Sequence, residues 1–113
     1  MHRRPECDII FKWALSAVTA EESHSKMISK ETVITNELGL HARSAAQIAK
    51  LAARARHGVW LVKGEERADA TSIMDLIALE CPRGTKIVVI IDDPCDRDIL
   101  YAISELIENG FGE

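Results

Sequence analysis

The sequence predicts an α+β fold in which helices cover one face of a four-stranded sheet. Three observations carry this. Helical and strand-like periods alternate in the order β-α-β-β-α-β-α from Met27 onward. One run, Thr85-Lys86-Ile87-Val88-Val89-Ile90-Ile91, is β-branched almost throughout and reads as a central, largely buried strand. The helical stretches are apolar on one side only, so each has a single face to bury.

Each element has its own local signals. Glu31–Thr35 reads as a short strand, and Asn36-Glu37-Leu38-Gly39 as a turn-rich connection. The next helix is expected over Ala42–Ala55. Ala45, Ile48, Ala49 and Ala52 mark its apolar face, and Arg43, Gln47, Lys50 and Arg54 its polar one. Gly58 ends it after the cationic last-turn residues Arg56 and His57. Val59-Trp60-Leu61-Val62 is a strand, Lys63-Gly64-Glu65-Glu66 a hairpin turn, and Arg67–Ala70 the return strand. Ser72 caps a second helix with Asp75 three residues on, its apolar positions being Ile73, Leu76, Ile77 and Leu79, and Pro82 with Gly84 stop it. Asp93-Pro94-Cys95-Asp96 opens a third helix with an acidic cap and a first-turn proline. Ile99, Ala102, Ile103 and Leu106 form its expected buried face, closed by Asn109-Gly110.

Composition bounds the function. A chain of 113 residues that is 47% hydrophobic can bury one core, which makes residues 27–113 one domain. The net charge of −4 lies wholly after Met27, where ten basic residues face fourteen acidic ones. That balance argues against nucleic acid as the main partner. Arg54-Ala55-Arg56-His57 has no aromatic neighbours and reads as a solvated helix end rather than a nucleic-acid patch. Cys7, Cys81 and Cys95 are odd in number and lack a CxxC pair, which points to free thiols in a reducing, cytoplasmic setting. No His/Cys spacing suits a metal, and no cofactor is implied.

Residues 1–26 stand apart as an extension dispensable for the fold. Ile9–Ala20 is apolar after an Arg-containing start, and Val18-Thr19-Ala20 resembles a signal cleavage site. Asp8 and Lys12 interrupt that run, which is also too short to cross a bilayer. A surface amphipathic helix showing Ile10, Trp13, Ala14 and Ala17 is a second reading, and a true start at Met27 a third.

The chemistry concentrates at Gly39-Leu40-His41-Ala42-Arg43-Ser44-Ala45. Here a histidine sits where a strand, a turn and a helix N-terminus meet. Unpaired first-turn amides (Ala42, Ser44, Ala45) and the positive end of the macrodipole favour an anion there, and Arg43 adds a planar cation suited to phosphate oxygens. The spacing points to a phosphohistidine site. His2, His24 and His57 lack such settings and read as solvated.

In this setting Gly39-Leu40-His41-Ala42-Arg43 resembles the histidine-containing phosphocarrier family, HPr, of the bacterial phosphotransferase system. The resemblance covers roughly residues 30–113 and includes the Ser72-Ile73-Met74 helix start. The Gly110-Phe111 tail is similar to that of the nitrogen-related branch. It implies an antiparallel sheet in the order 1-4-2-3, an HPr-like open-faced sandwich with three helices on one side. It implies that His41 accepts phosphate at Nδ1 from the phosphoenolpyruvate-dependent first enzyme, with Arg43 steadying it, and passes it to a downstream component. The carrier is then a covalent relay and not an enzyme, and works as a monomer without membrane insertion. Ser72 matches the family's regulatory serine, a target of a dedicated kinase and phosphorylase, against the plainer reading as an N-cap. Ile73, Met74 and Ile77 become a partner-docking patch. Ser44 departs from the usual proline, and its hydroxyl is expected near the phosphate. A regulatory binding module of the same fold, acting through Ser72 and the apolar patch, is the alternative function.

Overall fold

The computed structural model describes residues 27–113, so the readings of residues 1–26 lie outside the described residues. Four strands form one antiparallel sheet: β1 (Ile28–Val33), β2 (Val59–Lys63), β3 (Glu66–Asp69) and β4 (Lys86–Ile91), in the order β1-β4-β2-β3. Three helices accompany it among the described residues: α1 (Ala42–Ala52), α2 (Ile73–Ala78) and α3 (Arg97–Glu108). This is the open-faced sandwich the sequence predicts.

β4 is central, as expected, but its burial alternates. Ile87, Val89 and Ile91 are sealed under the helices, whereas Val88 and Ile90 are only half-buried. A run without polar residues hides this period-2 pattern, because valine and isoleucine suit either face of a pleated strand. Ala45, Ile48, Ala49 and Ala52 of α1 are all buried, as their spacing predicts. Short alanines bring α1 into one core with Leu61, Val89 and Leu76.

Two helix boundaries differ from expectation for tertiary reasons. α1 ends at Ala52, three residues early. The buried carboxylate of Asp96 accepts the backbone N–H groups of Arg56 and His57, both at 2.9 Å, and so draws the chain out of the helix. A charge-assisted pair of this kind outweighs one further helical turn. The third helix starts as a 3₁₀ turn, Pro94–Asp96, capped by Asp93, and becomes α3 only at Arg97. The buried face of α3 is consequently rotated: Leu100, Ile103 and Ile107 are sealed, while Ile99 and Leu106 are partly buried. Asp96 thus stands in the first turn and also tethers the loop before β2.

Cys81 is free and buried, as the sequence predicts for a thiol in this chain, and burial pushes its pKa up. Among the described residues no helix is long and apolar enough to cross a membrane.

Candidate functional site

The site begins with a close approach of backbone. Gly39 has a φ of +69°, and a Cβ there would collide with the Cys81 carbonyl oxygen and stand 2.8 Å from Pro82 Cα. Only glycine tolerates both the conformation and the contact. Leu40 then donates its N–H to the Cys81 oxygen at 2.8 Å and buries its side chain. The chain is therefore pinned immediately before His41, which takes an extended conformation (φ −130°, ψ −176°) and caps α1.

The cap is reciprocal. His41 Nδ1 accepts the N–H of Arg43 at 3.3 Å, while Ser44 Oγ accepts the N–H of His41 at 2.8 Å. The imidazole thus does what a serine or aspartate does at most helix starts. Ser44 is completely buried, and its hydroxyl also donates toward the Gly39 and His41 carbonyls. This corrects the expectation that Ser44 offers its hydroxyl to a phosphate: the side chain faces inward and shapes the turn. Ala45 is corrected likewise, since its N–H is already given to the His41 oxygen at 2.7 Å. Ala42 and Arg43 face outward, and His41 is partly exposed.

Asn36, read from the sequence as part of a turn, and Glu113, which the sequence reading did not single out, complete the site. The imidazole Nε2 lies 2.7 Å from Glu113 Oε2, and Glu113 Oε1 accepts from Asn36 Nδ2 at 3.1 Å. Asn36 is buried and also donates to the Gly39 oxygen at 2.8 Å. These bonds from Asn36, then from His41, hold the Glu113 carboxyl below its ordinary pKa, with Arg43 contributing through space. The tail reaches the histidine because Gly110 (φ +65°) and Phe111 (φ +59°) turn it back after α3. A left-handed phenylalanine costs on the order of 1–2 kcal/mol, offset by roughly 2–3 kcal/mol for burying its ring, and Phe111 is 4% exposed. No local pattern links residues 36, 41 and 113, so the sequence held no signal for this trio.

The remaining predicted positions are dispersed over α2. Ser72 Oγ accepts the N–H of Asp75 at 3.2 Å, which is the N-cap reading. Ile73 and Met74 are exposed, at 40% and 74%, whereas Ile77 packs partly against the core. Leu38, 71% exposed in the loop before His41, is a further apolar surface residue that the sequence reading left as part of a turn. His57 lies in the loop after α1, 3.8 Å from Asp93.

A partly exposed histidine capping a helix at one corner of an open antiparallel sandwich is an arrangement suited to an anion, as in a phosphoryl-relay module. Residues 28–109 match the family model described as PTS HPr component, phosphorylation site. The chain is 33% identical over 87 residues to phosphocarrier protein HPr of Neisseria meningitidis, covering 77% of this chain and 98% of that one. It is 36% identical over 87 residues to HPr of Xylella fastidiosa, with the same shares covered, and 36% identical to phosphocarrier protein NPr of Shewanella violacea, covering 76% and 94%. Among solved structures, HPr-C-His from Thermoanaerobacter tengcongensis superposes with a TM-score of 0.72 at 29% identity, covering 76% of this chain and 97% of the other. The chain belongs to the HPr family of phosphocarrier proteins of the phosphotransferase system.

Proposed function

We propose that His41 carries the phosphoryl group in this phosphocarrier, accepting it at Nδ1 from the phosphoenolpyruvate-dependent first enzyme and yielding it to a downstream component. The observation that supports this most directly is the position of Nδ1, turned to the α1 start 3.3 Å from the Arg43 N–H. A phosphoryl group there takes the Nδ1 lone pair, so the Arg43 N–H passes from the ring nitrogen to a phosphoryl oxygen beside the positive helix end. Arg43 is exposed at the same corner, and its charge already acts on Glu113, so its guanidinium is within electrostatic reach of an anion on His41. Imidazole is nucleophilic near neutral pH and gives the phosphoryl group up readily, which suits a relay rather than a catalyst with its own turnover.

Docking of partner enzymes falls to the exposed apolar residues Ile73 and Met74, with Ile77 behind them. Phosphorylation of Ser72 by a kinase would place about −2 of charge beside this surface while the α2 N-terminus accommodates it, a regulatory layer on the same carrier. The Gly110-Phe111 tail and the likeness to NPr support a place near the nitrogen-related branch. The carrier acts as a cytoplasmic monomer in this reading.

The test is incubation with the first enzyme and labelled phosphoenolpyruvate. The wild type should take up stoichiometric, acid-labile and base-stable label. His41→Ala should take up none while keeping its fold. Stoichiometric labelling of His41→Ala at another histidine would overturn the assignment.

A further inference from the structure

Glu113 constrains the His41 ring from the edge opposite to the helix. An ionised carboxylate offers only acceptors, so a ring nitrogen 2.7 Å from Glu113 Oε2 must present an N–H. On the other edge, Nδ1 meets the N–H of Arg43, a donor, and must present a lone pair. Both contacts select one tautomer, with the proton on Nε2 and Nδ1 bare. The carboxylate is itself held, because Asn36 Nδ2 binds its second oxygen at 3.1 Å and Asn36 is fixed to the Gly39 carbonyl at 2.8 Å. The groups facing Glu113 are therefore His41 and Arg43 from the α1 start and the neutral Asn36 from the loop before it.

We propose that Glu113 is a positioning residue for phosphoryl transfer: it holds His41 in the tautomer whose Nδ1 is the nucleophile, and it balances the charge the ring gains on phosphorylation. This rests on the reading of His41 as the acceptor. In the forward step the Arg43 N–H leaves Nδ1, whose lone pair forms the new N–P bond, and the donor's bond to phosphorus breaks with its electron pair returning to the donor. His41 keeps its Nε2 proton throughout, so the phosphorylated ring is cationic and lies against the carboxylate. The logic is that of an acid orienting a catalytic histidine, with phosphorus in place of an acyl carbon. Transfer onward reverses the step and again needs no proton shuttle on His41.

The experiment compares full-length wild type with Glu113→Ala, Glu113→Gln and Glu113→Asp. Glutamine keeps the size, but it can offer its one oxygen to His41 or to Asn36 and not to both, and it carries no charge. Nitrogen-15 long-range correlation spectra, recorded where the ring is neutral, should show a single Nε2–H tautomer in wild type and a mixture in Glu113→Ala. Phosphoryl uptake from the phosphorylated first enzyme should slow about fivefold in the alanine and glutamine variants and recover in part with aspartate. Their melting temperatures serve as the control for a role confined to holding the tail. A tautomer mixture in wild type, or wild-type uptake by Glu113→Ala, would overturn the proposal while leaving His41 as acceptor. Absence of label on wild-type His41 would overturn the underlying reading instead.

Discussion

Ser44 Oγ accepts the backbone N–H of His41 at 2.8 Å from a fully buried position, so the residue standing where the family resemblance leads one to expect proline acts on the backbone of His41. A first-turn proline preorganises a helix by fixing φ. Here a hydrogen bond performs that role, and it tolerates more motion than a pyrrolidine ring.

Ser44→Ala therefore removes a capping acceptor and strands a donor. It should lower stability by about 1 kcal/mol and slow phosphoryl uptake modestly by loosening His41. Denaturant unfolding alongside uptake kinetics checks both, and an unchanged midpoint would show that water replaces the hydroxyl without loss.

Arg43→Ala keeps the Arg43 backbone N–H on Nδ1 but removes the guanidinium. Uptake should fall roughly tenfold, in line with one charge-assisted contact, and should not vanish, because the helix terminus remains. Measuring the rate against salt separates the terms: wild type should lose more of its advantage at high salt than the variant.

Acid should release the tail before it unfolds the domain. Folding depresses the Glu113 carboxyl below its ordinary value of 4.5, chiefly through Asn36 and then His41. Asp69 is depressed below 3.8 by the Thr71 hydroxyl and then the Thr71 amide. A depressed carboxylate contributes stability fully above its unfolded pKa and loses it as pH falls through the folded value. The thermal midpoint of wild type should thus drop more steeply between about pH 5 and pH 3 than that of Glu113→Gln. Parallel curves would show that the carboxylate adds nothing to the fold.

Residues 1–26 are expected to be dispensable for folding and transfer, because the caps, strand pairings and core described above lie within residues 27–113. A chain beginning at Met27 should keep a cooperative melt and wild-type uptake. Loss of either would show that the extension packs on the domain.

Local periodicity in the sequence was sufficient for the element order, the buried face of α1, the centrality of β4 and the conjunction of a histidine with a helix start. Each of these rests on neighbours within a turn or two, where side-chain spacing alone decides what a helix or strand can bury. The strand order came from the resemblance and not from periodicity, since pairing between distant strands leaves no mark on their spacing. The rest was decided only when distant segments met. The buried carboxylate of Asp96 cut α1 short, the Cys81 carbonyl made Gly39 obligatory, and the turn at Gly110 and Phe111 brought Glu113 and Asn36 onto His41. Ser44 could be read as a free hydroxyl until the fold enclosed it. Hydrogen bonds between residues seventy positions apart are satisfied or not by tertiary geometry, so the contacts on both ring nitrogens of His41 belong to the folded structure and not to the motif around it.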